Sequence, residues 1–333
     1  MASTKFGETL ENVWADFVHC DAISTETKEG LNSDRRLALI GISASAVFGL
    51  LAAGHVAPLA CTVLTALTAA LGFLFSGKSM NTGQEHEWVL TRAIAETAKS
   101  EAYRFLTRSK PYDNADPAVN EETLGNNAAE YREKIPAGYA PPSGEAQRLS
   151  GLPTDWLTMD EYLARRVKDQ IAYYRAKSLY HHKAAKLGKS FTLALGAASM
   201  GLGSIHIGES LASAAPWMAL LPSASWIPVI ASISGAVTTY HFQNRFHFVA
   251  QIFEMSAKRL ERVLEAWGRV PAQQKPARQS EFINKFEEIL TYENKQWVGE
   301  FDKSLQAEAP VEAANAHEAA AHTATPGPAA RGE

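Results

Sequence analysis

The sequence predicts an all-α membrane protein whose four spanning helices form two hairpins joined to a cytoplasmic helical bundle. Residues 37–77 contain no Asp, Glu, Lys or Arg, and neither do residues 190–208 and 210–244. A spanning helix needs about 20 mainly apolar residues, so the first run has room for two spans and the second pair of runs for two more. The segments between and after these runs are charged and show helical periodicity, which predicts the bundle.

The first half of the chain begins with an N-terminal cytoplasmic amphipathic segment, residues 1–34. The first hairpin and the cytoplasmic helix that follows it occupy residues 35–108. A soft turn, His55-Val56-Ala57-Pro58, separates the spans at residues 37–54 and 58–75. The helix face after the hairpin steps by three and four residues, through Trp88, Thr91, Ala95, Ala98, Ala102 and Phe105.

Residues 109–158 are rich in Pro, Asn and Gly, which predicts a cytoplasmic linker between the two halves. Four aromatic side chains could still dock this linker locally. They are Tyr112, Tyr131, Tyr139 and Trp156.

The second half, residues 159–270, is predicted as a cytoplasmic helix, the second hairpin and a helical extension. Because residues 229–268 contain no Pro, residues 227–268 are predicted to form one continuous helix of about 60 Å at 1.5 Å per residue. The mixed charges of residues 160–169 are typical of a solvated helix face. A C-terminal amphipathic helix is predicted over residues 271–305. Residues 306–333 lack apolar periodicity and predict a disordered tail.

The positions of Lys and Arg beside the spans predict that both termini are cytoplasmic. Arg35 and Arg36 precede the first span, and Lys78 follows the second. Three lysines precede the third span and Arg245 follows the fourth, whereas the two outer connections contain neither Lys nor Arg. Both halves therefore have the same orientation and form a parallel repeat, unlike the inverted repeats of many secondary transporters.

Small and hydroxyl side chains share one face of each predicted span, and two interpretations of these faces stay open. Small residues let membrane helices approach closely, but hydroxyls can also line an aqueous path. The candidate residues of the second span are Thr62, Thr65, Ala69, Gly72 and Ser76, and those of the third span are Thr192, Gly196, Ser199, Gly203 and His206.

Four short helices without charged midspan groups predict a dry bundle, so conduction would require several protomers around an axis. A heptad-like stripe after the fourth span is a candidate seam for such a homo-oligomer. Its residues are Val249, Phe253, Leu260, Val263 and Trp267. Packing of this stripe against residues 88–105 of the same chain is the alternative.

No pattern in the sequence predicts an enzyme. The phosphate-binding, dinucleotide-binding, esterase and zinc-protease motifs are absent from it. The two cysteines, Cys20 and Cys61, have no metal-type spacing, and His181-His182 is better explained as part of a basic segment at the membrane interface. We therefore predict no catalytic residue, no cofactor, no metal and no nucleic-acid partner.

Several short motifs resemble the SLATT domain, the SMODS and SLOG-associating two-transmembrane effector domain, and its tandem four-span relatives of the unknown-function type. In the first half these are Trp88, Arg92, Ala95-Glu96, Lys99-Ser100-Glu101 and Pro111-Tyr112. In the second half they are Asp169-Gln170, Tyr173-Tyr174-Arg175-Ala176-Lys177, Glu287, Glu293 and Trp297. The resemblance covers residues 35–305.

This resemblance implies a pore-forming effector of the bacterial inner membrane, acting in a conflict system that uses nucleotide signals. The sequence shows no nucleotide-sensing, nuclease or TIR-like domain, so the trigger is not implied. Two functions stay open. One is an oligomeric channel or pore gated by its cytoplasmic helices, and the other is a membrane-anchored scaffold that docks a soluble partner without conducting ions. The expected partners are the lipid bilayer, further copies of the chain, and a soluble cytoplasmic trigger or partner protein.

Overall fold

The computed structural model describes residues 6–135, 149–209 and 223–292, and every regular element in these residues is a helix. The all-α class is therefore confirmed. The helices are α1 (Glu8–Ala53), α2 (Pro58–Ser79), α3 (Thr82–Leu106), α4 (Pro117–Arg132), α5 (Asp169–Glu209), α6 (Ser223–Asn244), α7 (Phe246–Gly268) and α8 (residues 275–292). A short helical turn, Met159–Tyr162, and a π-helical turn, Leu163–Lys168, lead directly into α5.

Among the described residues, α1 and α2 are the two helices long and apolar enough to cross a membrane. The predicted turn between them is confirmed, because His55 and Ala57 adopt left-handed backbone angles, with φ of 60° and 42°. The third and fourth predicted spans fall on α5 and α6, which do not meet the same criterion within the described residues. Residues 210–222, which join them, lie outside the described part. Four spans are therefore not confirmed.

Helix α1 runs without a break through the predicted boundary between residues 34 and 35. Its N-terminal half buries Leu10, Val13 and Trp14 in the bundle. Its C-terminal half packs along α2 and buries Gly41 and Leu50. The predicted N-terminal segment and the first span are thus parts of one helix.

The continuous helix predicted over residues 227–268 is wrong, because the chain breaks at Arg245. This residue has a φ of 45°, and α6 ends and α7 begins on either side of it. Left-handed backbone is uncommon for a residue other than Gly, Asn or Asp. Neither Gly nor Pro marks the position, so the break could not be predicted from the residue types.

The predicted linker contains a helix, α4, that the sequence interpretation missed. Leu124, Ala128 and Tyr131 of α4 are buried in the bundle, as is Tyr112 just before it. Local docking is therefore confirmed for Tyr112 and Tyr131, and Trp156 packs against the same core. Tyr139 lies outside the described residues.

The bundle closes with α8, whose apolar face confirms the first part of the predicted C-terminal helix. Ile283, Phe286 and Leu290 are fully buried. Residues 293–305 of that predicted helix and the predicted disordered tail lie outside the described part of the chain.

Candidate functional site

The predicted face of the second span, on α2, divides into packing and groove-lining positions. The hydroxyls of Thr62 and Thr65 donate hydrogen bonds to the backbone carbonyls of Pro58 and Cys61, both at 2.7 Å. These donors are therefore satisfied within their own helix, as is common for Thr in apolar helices. Ala69 and Ser76 line a shallow groove of about 290 Å³ together with residues of α1 and α6.

Gly72 of α2 lies directly against Gly41 of α1. A Cβ atom placed on Gly41 would lie 2.7 Å from the Cα of Gly72, and a Cβ on Gly72 would lie 2.8 Å from the backbone nitrogen of Ile42. No side chain fits there, so the two backbones approach directly at this pair of glycines. This is the close helix packing expected of small residues in a membrane hairpin.

The predicted face of the third span, on α5, opens onto a different groove. Thr192 is half-buried and lines that groove with Thr238 and Phe242 of α6. Ser199 is half-buried, and Gly196 has open space beside it in the single chain. The surroundings of Gly203 and the side chain of His206 lie outside the described part. The structure therefore does not bring the described residues of the two faces to one groove, and pore lining stays a prediction.

The predicted oligomer seam is buried within one chain. Val249, Phe253, Leu260, Val263 and Trp267 of α7 are all in the hydrophobic core. Their partners are on α5 and α8: the ring centroids of Phe253 and Tyr174 are 5.6 Å apart, and those of Trp267 and Phe282 are 4.8 Å apart. Packing within the chain accounts for this stripe, although with other helices than the expected residues 88–105. In the single chain these side chains are at most 9% exposed, and their role in a homo-oligomer stays a prediction.

A buried charge network lies in the middle of the bundle, where the π-helical turn precedes α5. The Arg166 side chain is 1% exposed and Glu287 of α8 is fully buried. Arg166 donates two hydrogen bonds to Glu287, at 3.1 and 2.9 Å, and a longer one to Glu96 of α3 at 3.4 Å. The hydroxyl of Tyr162 donates to Glu287 at 2.8 Å. One guanidinium thus joins helices from both halves of the chain.

Electrostatics keep this network charged. Burial acts to lower the pKa of Arg166, but the carboxylates of Glu287 and Glu96 outweigh it and hold that pKa above its usual range. Burial acts to raise the pKa of Glu96, but Arg166 and Lys99 hold it below the ordinary glutamate value. Two carboxylates and one guanidinium satisfy much of one another's charge, as buried ions require.

The solvated face predicted for residues 160–169 is therefore wrong at one position. Glu161, Arg165 and Lys168 are exposed, whereas Arg166 is buried. A π-helical turn accommodates one residue more than an α-helical turn, so it shifts the helix face at this point. No motif in the sequence marks the π-helical turn.

The ends of the helices that face the bundle are tied together at the junction between the hairpins and the bundle. Arg35 of α1 pairs with Glu85 of α3. Gln243 of α6 donates a hydrogen bond to the hydroxyl of Ser79, the last residue of α2, at 3.3 Å. A movement of the bundle would thus reach the ends of α1, α2 and α6.

Comparison with known protein families agrees with this division into halves. Residues 162–297 match the family model described as SMODS and SLOG-associating 2TM effector domain 1, and residues 22–120 match a model described as protein of unknown function (DUF4231). No curated protein and no solved structure matches the chain. The two matches follow one another along the chain and confirm the resemblance drawn from the sequence motifs.

Proposed function

This chain has a SLATT-type, tandem-domain architecture, and on that premise we propose that it is a membrane effector whose cytoplasmic bundle gates an oligomeric channel or pore. The SLATT domain is a two-transmembrane effector domain of conflict and defence systems. We place the protein in the bacterial inner membrane with both termini in the cytoplasm. It acts without enzymatic chemistry, and a soluble cytoplasmic factor is its trigger.

The observation that carries this proposal is the unbroken helix α1. It has 46 residues, which corresponds to about 69 Å at 1.5 Å per residue. One end is anchored among the aromatic residues of the bundle, and the other packs along α2 in the apolar hairpin. A helix of this kind transmits a displacement of the bundle to the hairpin, which is what gating by cytoplasmic helices needs.

The packing of α6 supports four spans. Helix α6 lies against the apolar half of α1, where Val229 and Ser232 share grooves with Ala46 and Leu50. A helix beside a membrane span occupies the same depth in the bilayer. Large apolar side chains on the adjoining parts of α5 and α6, such as Leu193, Met200 and Phe242, are exposed in the single chain. Lipid contact would cover them.

The topology has a direct test in single-cysteine variants. In a background without Cys20 and Cys61, Cys at Val56 and at Ala214 should react with an impermeant thiol reagent in intact cells, and Cys at Ala118 only after lysis. Val56 lies in the outer turn of the first hairpin, and Ala118 is exposed at the start of α4. Labelling of Ala118→Cys in intact cells, or protection of Val56→Cys, would contradict the proposed orientation.

Conduction is tested by single-channel recording of the purified protein in a planar bilayer. We expect channel openings from the wild type, and a lower unitary conductance from Ala69→Leu if the α2 groove faces the path. Ala70→Leu is the matched control, because Ala70 is exposed outside that groove. Equal conductance of the two variants would exclude this face from the path.

A scaffold without conduction is the second candidate, and the hydroxyl bonding on α2 favours it. Because Thr62 and Thr65 donate to carbonyls of their own helix, their hydroxyls have no free proton to donate to a passing anion or water, and they offer only oxygen lone pairs. The glycine contact between α1 and α2 is likewise a packing feature. A wild-type protein that stays silent at all voltages and with all added ligands would favour this function.

A further inference from the structure

A cavity of about 210 Å³ lies at the junction of the bundle and the first hairpin, between α1, α3, α5, α6 and α7. Its charged lining is strongly unbalanced. Among the described residues that line it, Glu85 alone carries a carboxylate, and this group pairs with Arg35. The cationic residues around it are Lys28, Arg35, Arg36, Arg92, Lys177 and Arg245.

The position of Lys28 shows how strong the excess of positive charge in this cavity is. Its Nζ atom lies 4.8 Å from the centre of the Trp88 ring. Burial, together with the nearby positive charges of Arg92 and Lys177, lowers the pKa of Lys28 to about 8. An ammonium group held among like charges is costly unless an anion joins it.

Two buried nitrogen atoms in the lining also have no partner. Arg35 is 7% exposed, and its Nε forms no hydrogen bond with the described part of the chain. The same is true of His181 Nδ1, whose ring packs against Phe246 and Phe253. Buried nitrogens are nearly always hydrogen-bonded in proteins, so these two point to a group that is brought by a ligand.

We propose that this cavity binds a phosphate-bearing anion. A phosphate group offers several acceptor oxygens and up to two negative charges, which suits arginine and lysine donors converging from separate helices. The inference goes beyond gating, because the site stands whether or not the spans conduct.

The phosphate has two possible sources, which the position of the cavity defines. Arg35 and Arg36 directly precede the apolar part of α1, at the depth of lipid headgroups, so the phosphate of an anionic phospholipid reaches the upper part of the cavity. Lys28 lies about 13 Å below Leu37 along α1, at 1.5 Å per residue. A soluble phosphate compound reaches that lower part from the cytoplasm.

The test measures the melting temperature, Tm, of the full chain in lipid nanodiscs, because a ligand that binds the folded state raises Tm. Inorganic pyrophosphate added to phosphatidylcholine discs probes the soluble source. Discs containing phosphatidylglycerol, without added pyrophosphate, probe the lipid source. Sodium chloride at matched ionic strength controls for the screening of charges by salt. Citrate controls for stabilisation by any multivalent anion.

Lys28→Gln is the diagnostic variant and Lys186→Gln the control, since Lys186 is exposed on α5 outside the cavity. Lys28→Gln should raise Tm without ligand, because it removes a crowded cation, and should weaken phosphate binding about tenfold. A merely structural role of Lys28 would instead lower Tm. Lys177→Gln should weaken binding in the same way and provides a second variant.

If pyrophosphate raises the Tm of the wild type and Lys28→Gln reduces this rise, the result supports a soluble phosphate ligand. If phosphatidylglycerol raises Tm and Lys28→Gln reduces this rise, the result supports a lipid headgroup. The proposal is overturned if neither probe raises Tm in the wild type. It is also overturned if citrate acts as strongly as pyrophosphate, or if Lys28→Gln and Lys186→Gln respond alike.

Discussion

Each half of the chain has a hairpin followed by an amphipathic helix, but the start of the amphipathic helix differs between the halves. In the first half, Asn81 caps α3, and its side chain accepts hydrogen bonds from the backbone nitrogens of Gly83 and Gln84 at 3.0 and 3.4 Å. In the second half, Arg245 provides no cap and turns the chain through left-handed backbone. The start of α3 is thus specified locally by a capping residue, whereas the start of α7 depends on its tertiary surroundings.

The amphipathic helices after the hairpins differ in a second way. The buried face of α3 contains Ala95, Ala98 and Ala102, which lets the backbone of α1 come close. The buried face of α7 contains larger side chains, such as Leu260 and Trp267, which fill the space against α5 and α8. The same helical spacing therefore serves two kinds of packing, and the tandem is not a pair of equivalent copies.

The largest effect is expected where the two halves meet, at Arg166. Arg166→Met should lower the free energy of unfolding by about 3 to 5 kcal/mol, because it leaves the buried carboxylate of Glu287 without its cation and removes one of the cations beside Glu96. Chemical unfolding of the protein in detergent, followed by circular dichroism, measures this loss.

The matched control is Arg175→Met, because Arg175 pairs with Glu261 at an exposed position. Its expected cost is at most about 1 kcal/mol. The double variant Arg166→Met with Glu287→Leu should recover part of the lost stability. Equal losses for Arg166→Met and Arg175→Met would show that the buried network does not join the halves.

This network also shows what the sequence can and cannot predict. The sequence suffices for the apolar hairpin, its turn at residues 55–58 and the helix faces of α3, α7 and α8, because these depend on local composition and spacing. The burial of Arg166 depends on a π-helical turn, which shifts the helix face without leaving a recognisable motif.

The cationic cavity could not be predicted for a related reason. Lys28, Arg92 and Lys177 come from three helices that are far apart in sequence. No spacing along the chain records their convergence. Single residues of such a site look like ordinary surface charges until the helices are packed.

The second prediction compares the large residues of α7 with the small residues of α3. Leu260→Ala should cost about 2 to 5 kcal/mol, because Leu260 is fully buried and its truncation leaves a cavity. Ala98→Leu in α3 should cost about 1 to 3 kcal/mol through overpacking. Denaturant unfolding gives both values.

Met255→Ala is the control on α7, since Met255 is 51% exposed, and it should change stability little. Because the stripe is buried within the chain, Leu260→Ala should leave the mass of the detergent complex unchanged. If Leu260→Ala instead reduced the mass of the detergent complex without changing the stability of the single chain, the result would support the stripe as an oligomer seam.

The third prediction compares the hairpins. Gly72→Leu should force α1 and α2 apart and cost about 1 to 3 kcal/mol, because its Cβ would meet the backbone of Ile42. Gly196→Leu in the second hairpin should be tolerated by the single chain, since nothing lies within 4 Å of its Cβ position. Thermal unfolding in detergent measures both, and an equally large loss for Gly196→Leu would place a neighbouring protomer against that face.

The smallest changes in the free energy of unfolding are expected at the starts of α3 and α7, and they should have opposite signs. Asn81→Ala removes the cap of α3 and should cost about 1 kcal/mol. Arg245→Gly should stabilise the protein by up to about 1 kcal/mol, because glycine adopts the left-handed backbone without the strain of a Cβ atom. The free energies of unfolding should be measured in phosphatidylcholine discs without added phosphate, so that the cavity residue Arg245 is compared in the absence of a soluble ligand. If Arg245→Gly loses as much stability as Asn81→Ala, contacts of the Arg245 side chain stabilise the start of α7. The two halves would then differ in the side-chain contacts at this position and not in backbone strain.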